Sequence, residues 1–157
     1  MDRDIINLTI IISAKDEAGN LAELFEKINL AFSELSIIGE LIFIEDGSSD
    51  NTWETALNLK NKYSWLNLYK NRINLGQTRS FMKVFELVKG EYIILLPADL
   101  ESDPSEDIPK LYHKLLEGHD VVTGWRQGRY DGKNLASWVY NKVANWLFDI
   151  KVHDKNW

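Results

Sequence analysis

The chain has 157 residues, a length that suits one domain, and 45% of them are hydrophobic, so it is expected to fold around a core. Its net charge of −6 argues against a nucleic-acid-binding protein, because phosphate recognition needs clustered Lys and Arg. The lack of cysteine excludes disulfides and cysteine-ligated zinc and fits a cytoplasmic location, and no apolar run reaches the length of a membrane span.

Short apolar runs alternate along the chain with longer segments whose apolar residues recur at helical spacing. Five strands are predicted, at Leu8–Ser13, Glu40–Ile44, Leu66–Tyr69, Gly90–Leu96 and Asp120–Gly124. Helices are predicted over Leu21–Leu35, after a capping box of Asn51 and Glu54, and over Gln77–Val88, Ile108–Leu116 and Asn134–Phe148. This alternation predicts an α/β fold, a mostly parallel sheet flanked by helices on both faces.

Polar segments follow four of the predicted strands: "SAKDE", "EDGSSD", "PADLE" and "TGWR". Open parallel sheets bind their ligands beyond the carboxyl ends of the strands. We therefore expect these four loops to lie along one edge of the sheet and to form the functional site.

The loop after the fourth strand carries alternating acids. Asp99 and Glu101 have the oxygen ligands that Mg²⁺ or Mn²⁺ prefers, whereas zinc would need a histidine or thiol nearby. The other interpretation is an acidic turn that leads into a helix. That interpretation is favoured for Asp103, Glu106 and Asp107, since acids stabilise a helix N-terminus.

The other loops leave alternatives open. Asp46 ends the second strand, where a carboxylate can accept hydrogen bonds from a base or a ribose, or form an Asx turn. Lys15 and Glu17 are either solvated loop residues or part of the site. Arg126 suits a diphosphate clamp, because its planar fork matches phosphate oxygens, or it pairs with Asp131.

Several common catalytic and phosphate-binding motifs are missing. The sequence contains neither GxxxxGK[ST] nor GxGxxG, and it has no Ser-His-Asp or Cys-His pattern. A bound nucleotide would therefore depend on a metal ion and on side chains.

Four ordered segments together resemble the family 2 glycosyltransferases of GT-A (Rossmann-like) fold. The segments are "IIISAKDEAGNLAELFEKI", "ELIFIEDGSSDNTWE", "NRINLGQTRSFMKVFELVKGEYIILLPADLESDPSEDIPKL" and "DVVTGWR". Within that family the chain is most similar to the polyprenyl-phosphate sugar synthases, such as the dolichyl-phosphate mannose synthases. The resemblance implies a single domain, residues 1–157, that binds a nucleotide sugar, UDP- or GDP-linked, and transfers the sugar to a lipid phosphate at the cytoplasmic face of a membrane.

The resemblance also implies roles for individual residues. Asp99 and Arg126 would act in catalysis, and Asp99 with Glu101 would hold Mg²⁺ or Mn²⁺. A lipid-phosphate acceptor is already an anion, so alignment matters more than a general base. The residues implied in donor binding are Ser13, Lys15, Glu17, Ile44, Asp46, Ala98, Asp99 and Arg126.

The sequence departs from the family pattern at several positions. Pro97 stands where the family usually has the first Asp of its DxD motif, and Glu45 replaces an Asp. Ser13 and Lys15 stand where Pro and Tyr are frequent. The chain also ends where family members continue into an acceptor-side segment. The alternative is therefore a truncated or degenerate nucleotide-binding domain without transferase activity.

Two further hypotheses concern partners and fold class. The predicted C-terminal helix, with Trp138 and Trp146, would then lack its covering segment and would pair with a second copy of the chain. A receiver-like phosphoacceptor domain is disfavoured, because that class needs paired acids after strand one and a lysine after strand five.

Overall fold

The chain divides into two compact units, Met1–Val122 and Thr123–Trp157, and the computed structural model describes residues 6–124. The described part forms a sheet of four parallel strands with helices between them. The strands are β1 (Leu8–Ala14), β2 (Gly39–Asp46), β3 (Leu66–Asn71) and β4 (Tyr92–Leu96). The helices are α1 (Leu21–Leu35), α2 (Thr52–Lys60), α3 (Gln77–Val84) and α4 (Pro104–Leu116), and a 3-10 turn at Phe85–Leu87 follows α3.

The strand order β3-β2-β1-β4 buries the two central strands on both faces. Ile10 and Ile12 of β1 pack in the core formed with α1 and α4, whereas Ile11 packs on the other face with Phe81 and Val84 around α3. Burial on both sides explains why β1 and β2 are apolar at nearly every position. The predicted α/β fold, with helices on both faces of a parallel sheet, is confirmed.

Helix α1 follows the predicted periodicity. Its residues Leu21, Leu24, Phe25 and Ile28 are fully buried, at the i, i+3, i+4, i+7 spacing of one helix face. The ring of Phe25 meets Phe43 of β2 edge to face, with 5.5 Å between the ring centroids. This contact joins α1 to the centre of the sheet.

Helix α4 begins earlier than predicted, at Pro104. Asp103 is its N-cap, and the carboxylate accepts a hydrogen bond from the backbone N–H of Ser105. Proline suits the first helical position, where the backbone N–H has no intrahelical partner. Glu106 and Asp107 lie in the first turn. The interpretation of these three acids as helix-capping residues is confirmed.

The predicted capping box at Asn51 and Glu54 is wrong. The side chain of Asn51 makes no capping hydrogen bond, and the Asp50 carboxylate instead accepts from the backbone N–H of Thr52 at 2.9 Å. An aspartate two residues before a free N–H supplies the same acceptor. Asp50 therefore supplies the hydrogen bond at the start of α2 that Asn51 was expected to supply.

The predicted strand at Asp120–Gly124 is also wrong, since these residues have no regular structure. Val121 and Val122 suggested a strand, but Val121 is 79% exposed. Strand propensity is realised only where a neighbouring strand satisfies the backbone, and none of residues 6–124 pairs with the outer edge of β4. The predicted helix Gln77–Val88 is shorter as well, ending at Val84.

Other predictions fall on residues outside the described range. They concern Arg126, Asp131 and the helix Asn134–Phe148 with its tryptophans. Within residues 6–124, every helix is too short or too polar to cross a bilayer.

Candidate functional site

The carboxyl ends of the four strands bring four loops to one edge of the sheet. The chain runs outward from β1 to β2 and β3, then returns to place β4 on the other side of β1. This reversal makes the boundary between β1 and β4 the topological switch point of the sheet, the position where open α/β sheets bind ligands. Lys15 and Glu17 follow β1, and Asp99 follows β4. The predicted gathering of "SAKDE", "EDGSSD" and "PADLE" at one edge is confirmed.

Asp16 connects the loop after β1 to the loop after β2. Its Oδ1 accepts hydrogen bonds from the backbone N–H of Ser49 at 2.6 Å, the hydroxyl of Ser49 at 3.0 Å and the backbone N–H of Asp50 at 3.3 Å. The backbone N–H of Asp16 in turn donates to Ser48 Oγ. The Ser49 hydrogen bonds hold the pKa of Asp16 below its ordinary value, because they stabilise the ionised carboxylate. The two loops thus form one unit.

Glu17 and Asp50 reinforce that connection. The backbone N–H of Glu17 donates to Thr52 Oγ1 at 2.9 Å, and the N–H of Ala18 donates to Asp50 Oδ2 at 3.1 Å. The Glu17 carboxylate accepts from the Asn20 side chain at 2.6 Å. Lys15 is exposed at the tip of the same loop. Glu17 therefore shapes the loop, while Lys15 presents its charge to solvent.

Asp46 is buried and holds the loop between β3 and α3. Its Oδ1 accepts from Asn71 Nδ2 at 2.9 Å and from the backbone N–H of Leu75 at 2.8 Å, and its Oδ2 accepts from the N–H of Gly76 at 2.8 Å. Burial disfavours the charged form, but these hydrogen bonds outweigh it, so the pKa of Asp46 lies below its ordinary value. Both oxygens thus have protein partners, and contact of Asp46 with a base or ribose stays a prediction.

Gly47 explains how closely this loop approaches β2. Its φ is +72°, and a Cβ there would lie 2.5 Å from the backbone nitrogen of Asn74. A side chain would therefore collide with the loop as well as strain the backbone. The glycine of "EDGSSD" lets the loop after β3 fold over the end of β2.

Glu45 is the buried acid beside Asp46. It is 1% exposed, and its Oε1 accepts from the backbone N–H of Ser48. Its Oε2 has no hydrogen-bond partner among the described residues, and Lys70 Nζ lies 3.7 Å away. Lys70 also lies 5.2 Å from the ring centroid of Trp53. A buried carboxylate oxygen without a hydrogen bond is costly, so its presence needs a reason, such as a bound partner, ion or water.

The loop after β4 presents Asp99 to solvent. Asp99 Oδ1 accepts from the backbone N–H of Glu101 at 3.1 Å, and Leu100 between them has a φ of +55°. The turn leaves both carboxylates exposed, whereas Ala98 is 5% exposed and packs in the core. Pro97 is half-buried directly before Ala98.

The far end of this loop is fixed by an ion pair. Lys27 of α1 donates to Asp103 Oδ2 at 2.9 Å. The hydroxyl of Ser105 and the ammonium of Lys27 lower the pKa of Asp103 to about 2. The loop of Asp99 and Glu101 therefore runs from the end of β4 to an anchored helix N-terminus.

The chemistry of Asp99 and Glu101 fits a hard divalent cation. Both supply carboxylate oxygens, the ligands of Mg²⁺ and Mn²⁺. No group of three or more His, Cys, Asp or Glu suited to a metal occurs within residues 6–124. An ion held here would therefore take its remaining ligands from water and from a bound diphosphate, as Mg²⁺ commonly does in phosphate sites.

The remaining predicted residues are placed differently. Ser13 is half-buried near the end of β1, where it aligns with Ile44 in the sheet register. Ile44 is 1% exposed, and its side chain belongs to the core beneath α3. Arg126 lies outside the described residues, so its role stays a prediction.

Sequence reasoning missed Asp16 as a connecting residue and Glu45 as a candidate ligand contact. Both lie next to residues that were singled out, Lys15 and Asp46. The available signal in each case was an acidic residue at or next to the carboxyl end of a buried strand, a position where functional residues of open α/β sheets are found. The sequence pattern did not show which of the two neighbouring acids, Glu45 or Asp46, has hydrogen-bond partners within the protein on both carboxylate oxygens.

Comparison with known proteins identifies the family of the chain. The family model described as glycosyl transferase family 2 matches residues 9–156. The undecaprenyl-phosphate 4-deoxy-4-formamido-L-arabinose transferase of Aeromonas hydrophila is 34% identical over 96% of this chain and 47% of its own length. The enzyme of that name from Salmonella choleraesuis is 36% identical over 94% and 43%. The dodecaprenyl-phosphate galacturonate synthase of Rhizobium johnstonii is 27% identical over 95% and 45%. The chain thus spans about half the length of these curated relatives.

Solved structures share the fold. Residues 1–349 of S. aureus TarS align with a TM-score of 0.60 at 16% identity, over 78% of this chain and 39% of that one. A mycobacterial protein aligns with a TM-score of 0.59 at 18% identity, over 88% and 48%. These neighbours have the GT-A fold. With the family match over nearly its whole length, the chain belongs to glycosyltransferase family 2.

Proposed function

We propose that the chain is the donor-binding part of a transferase that moves a sugar from a nucleoside diphosphate to a polyprenyl phosphate, with a divalent metal. The observation that supports this most is the switch point between β1 and β4. The loop after β1 is hydrogen-bonded to the loop after β2, and the loop after β4 carries the exposed carboxylates of Asp99 and Glu101. The names of the relatives supply the acceptor class.

Asp99 and Glu101 are proposed to hold Mg²⁺ or Mn²⁺ against the donor diphosphate. The metal would supply positive charge that stabilises the departing nucleoside diphosphate. Lys15, exposed on the loop after β1, adds a positive charge at the same edge of the sheet. Arg126 is proposed as a further phosphate contact, on the basis of the family resemblance alone.

The base is proposed to lie next to Glu45. Both oxygens of Asp46 already accept hydrogen bonds from the protein, whereas Glu45 Oε2 has none. A ring N–H or amino group of the base would supply that missing donor. Lys70 is half exposed and can move aside from the carboxylate. UDP and GDP both carry suitable donors.

The transfer step needs little acid–base chemistry from the protein. A phosphate acceptor is already anionic, so the oxygen can attack the sugar carbon as the bond to the diphosphate breaks. The protein then contributes position and charge, because holding two reactants in line removes much of the entropic barrier. This agrees with the lack of a catalytic histidine in the sequence motifs.

A second candidate function is nucleotide binding without transfer. Pro97 supports it, because it stands where the resemblance expects an acid, and it removes one carboxylate from the metal loop. Proline also lacks the backbone N–H that could replace the lost contact.

A transfer assay separates the two. Radiolabelled UDP- and GDP-sugars are incubated with the chain, undecaprenyl phosphate and Mn²⁺, and the organic phase is counted. Lipid-linked product that is lost in Asp99→Ala and kept in Glu106→Ala, an exposed acid further along the same segment, supports the transferase. Metal-dependent nucleotide binding without product supports the second candidate, and absence of both contradicts the two proposals.

A further inference from the structure

The segment from Lys70 to Lys89 is basic in an acidic protein. It contains five Lys and Arg residues against a single acid, Glu86, a net charge of +4 in a chain of −6. The remainder of the chain therefore carries −10. Such segregation of charge indicates a surface that meets an anionic partner.

Part of this segment is exposed on α3, directly after it and in the loop that leads into it, and we call these exposed residues the α3 face. Helix α3 buries Ser80, Phe81 and Val84 and turns its other side to solvent. The α3 face comprises Arg72, Ile73, Arg79, Met82, Lys83 and Phe85. Its apolar residues are unusually exposed to solvent: Ile73 is 67% exposed and Met82 is 69% exposed.

The cations of the α3 face have no acidic partner in the described part of the chain. Two lysines of the segment, Lys70 and Lys89, lie within ion-pair distance of Glu45 and Glu40, but neither lysine belongs to the α3 face. Lys83 donates to the neutral Asn71 side chain at 3.1 Å, and neither Arg72 nor Arg79 lies within ion-pair distance of a described carboxylate. Their charge is therefore available to a partner.

The α3 face combines positive charges with exposed apolar side chains, and this combination favours one class of partner over another. A nucleic acid would use the cations but would leave Ile73 and Met82 exposed to water. An anionic bilayer satisfies both, because the cations meet phosphate headgroups while the apolar side chains enter the interface.

We propose that the α3 face docks on the surface of a membrane that contains anionic phospholipid. The proposal rests on the proposed function to the extent that a polyprenyl-phosphate acceptor resides in a membrane. It adds the surface by which residues 6–124 approach that membrane, and it assigns Arg79, Met82 and Lys83 to this contact.

Vesicle flotation tests the docking. The full chain is mixed with vesicles of phosphatidylcholine alone, or of phosphatidylcholine and phosphatidylglycerol in equal amounts. We expect binding to the anionic vesicles that weakens as salt is raised. Reversal of two charges in Arg79→Glu/Lys83→Glu should weaken it about tenfold or more. Met82→Ser, which leaves every charge in place, should weaken it by a smaller factor.

The matched control is Lys110→Glu/Lys114→Glu, the same change in net charge on α4, which packs on the other face of the sheet. The control should bind anionic vesicles as the unmodified chain does, and nucleotide affinity should be equal in both double variants. Equal loss in the two double variants, no binding by the unmodified chain, or displacement from the vesicles by single-stranded RNA would overturn the docking surface. Loss of nucleotide binding in every protein would instead count against the proposed function.

Discussion

Asp16 and Ser49 join two loops that are 33 residues apart in sequence, through hydrogen bonds of 2.6 Å from the backbone and 3.0 Å from the hydroxyl. The acceptor is one oxygen, Oδ1. Asp16 has a φ of +58°, a conformation that Asp and Asn adopt more readily than other residues with a side chain.

This geometry predicts different results for two substitutions at Asp16. Asp16→Asn keeps an oxygen acceptor and a tolerated φ, so the thermal midpoint and the nucleotide affinity should stay close to those of the unmodified chain. Asp16→Ala removes the acceptor and should weaken nucleotide binding, with circular dichroism unchanged. Equal affinity in Asp16→Ala and the unmodified chain would show that the loop connection does not organise the donor site.

Asp46 is predicted to contribute to folding through the loop that it holds. In Asp46→Ala the partly buried backbone N–H of Leu75 loses its acceptor, whereas the N–H of Gly76 keeps Asn74 Oδ1 at 2.9 Å. Leaving a buried donor unsatisfied costs about 1–3 kcal/mol. Urea denaturation should show that loss in the free energy of unfolding. Glu54→Ala, an exposed acid on α2, is the control and should stay within about 0.5 kcal/mol. A similarly small change in Asp46→Ala would contradict the structural role.

Phe25 is predicted to be a principal core residue. It is fully buried and meets Phe43 edge to face, so Phe25→Ala should lower the free energy of unfolding by about 3–5 kcal/mol. Leu30→Ala in the same helix removes a side chain that is half exposed and should cost much less. Chemical denaturation of both variants checks the packing of α1 on the sheet, and equal losses would contradict it.

The stability of the fold should fall in acid through Asp103. Its pKa is about 2 in the folded chain against an ordinary value of 3.8, so the ionised form stabilises the fold above the higher value. That contribution is lost as the pH falls from about 3.8 to about 2, because Asp103 must then be protonated. Denaturation curves across this window should show a shallower decline in Asp103→Asn than in the unmodified chain. Identical slopes would contradict the lowered pKa of Asp103, and with it the combined effect of the Ser105 hydroxyl and Lys27.

The sequence predicted the layers of the fold because buried apolar residues recur along the chain with the period of a helix or occur in the short continuous runs of a buried strand. Ile10, Ile12 and Phe25 follow strand and helix spacing, and all are buried where the pattern expected them. Val121 does not lie in the strand that was predicted for it, and it is exposed. Two adjacent valines indicate strand propensity, but they do not show whether another strand is present to pair with them. Strand pairing depends on contacts between distant segments, which local patterns do not contain.

The candidate site was predictable in place but not in detail. The rule of carboxyl ends located Glu17, Asp46 and Asp99 at one edge of the sheet. It could not foresee that Asp46 binds the loop after β3, since that depends on backbone N–H groups of Leu75 and Gly76 folding back over Gly47. Such partners are set by tertiary structure.

The most direct test of the donor site is calorimetric titration of the chain with UDP, GDP and their sugars, with and without Mn²⁺. Binding is expected to require the metal, to be lost in Asp99→Ala and to persist in Glu106→Ala. Absence of binding by a folded chain, or binding that is indifferent to both Mn²⁺ and Asp99, would contradict a metal-dependent donor site between β1 and β4.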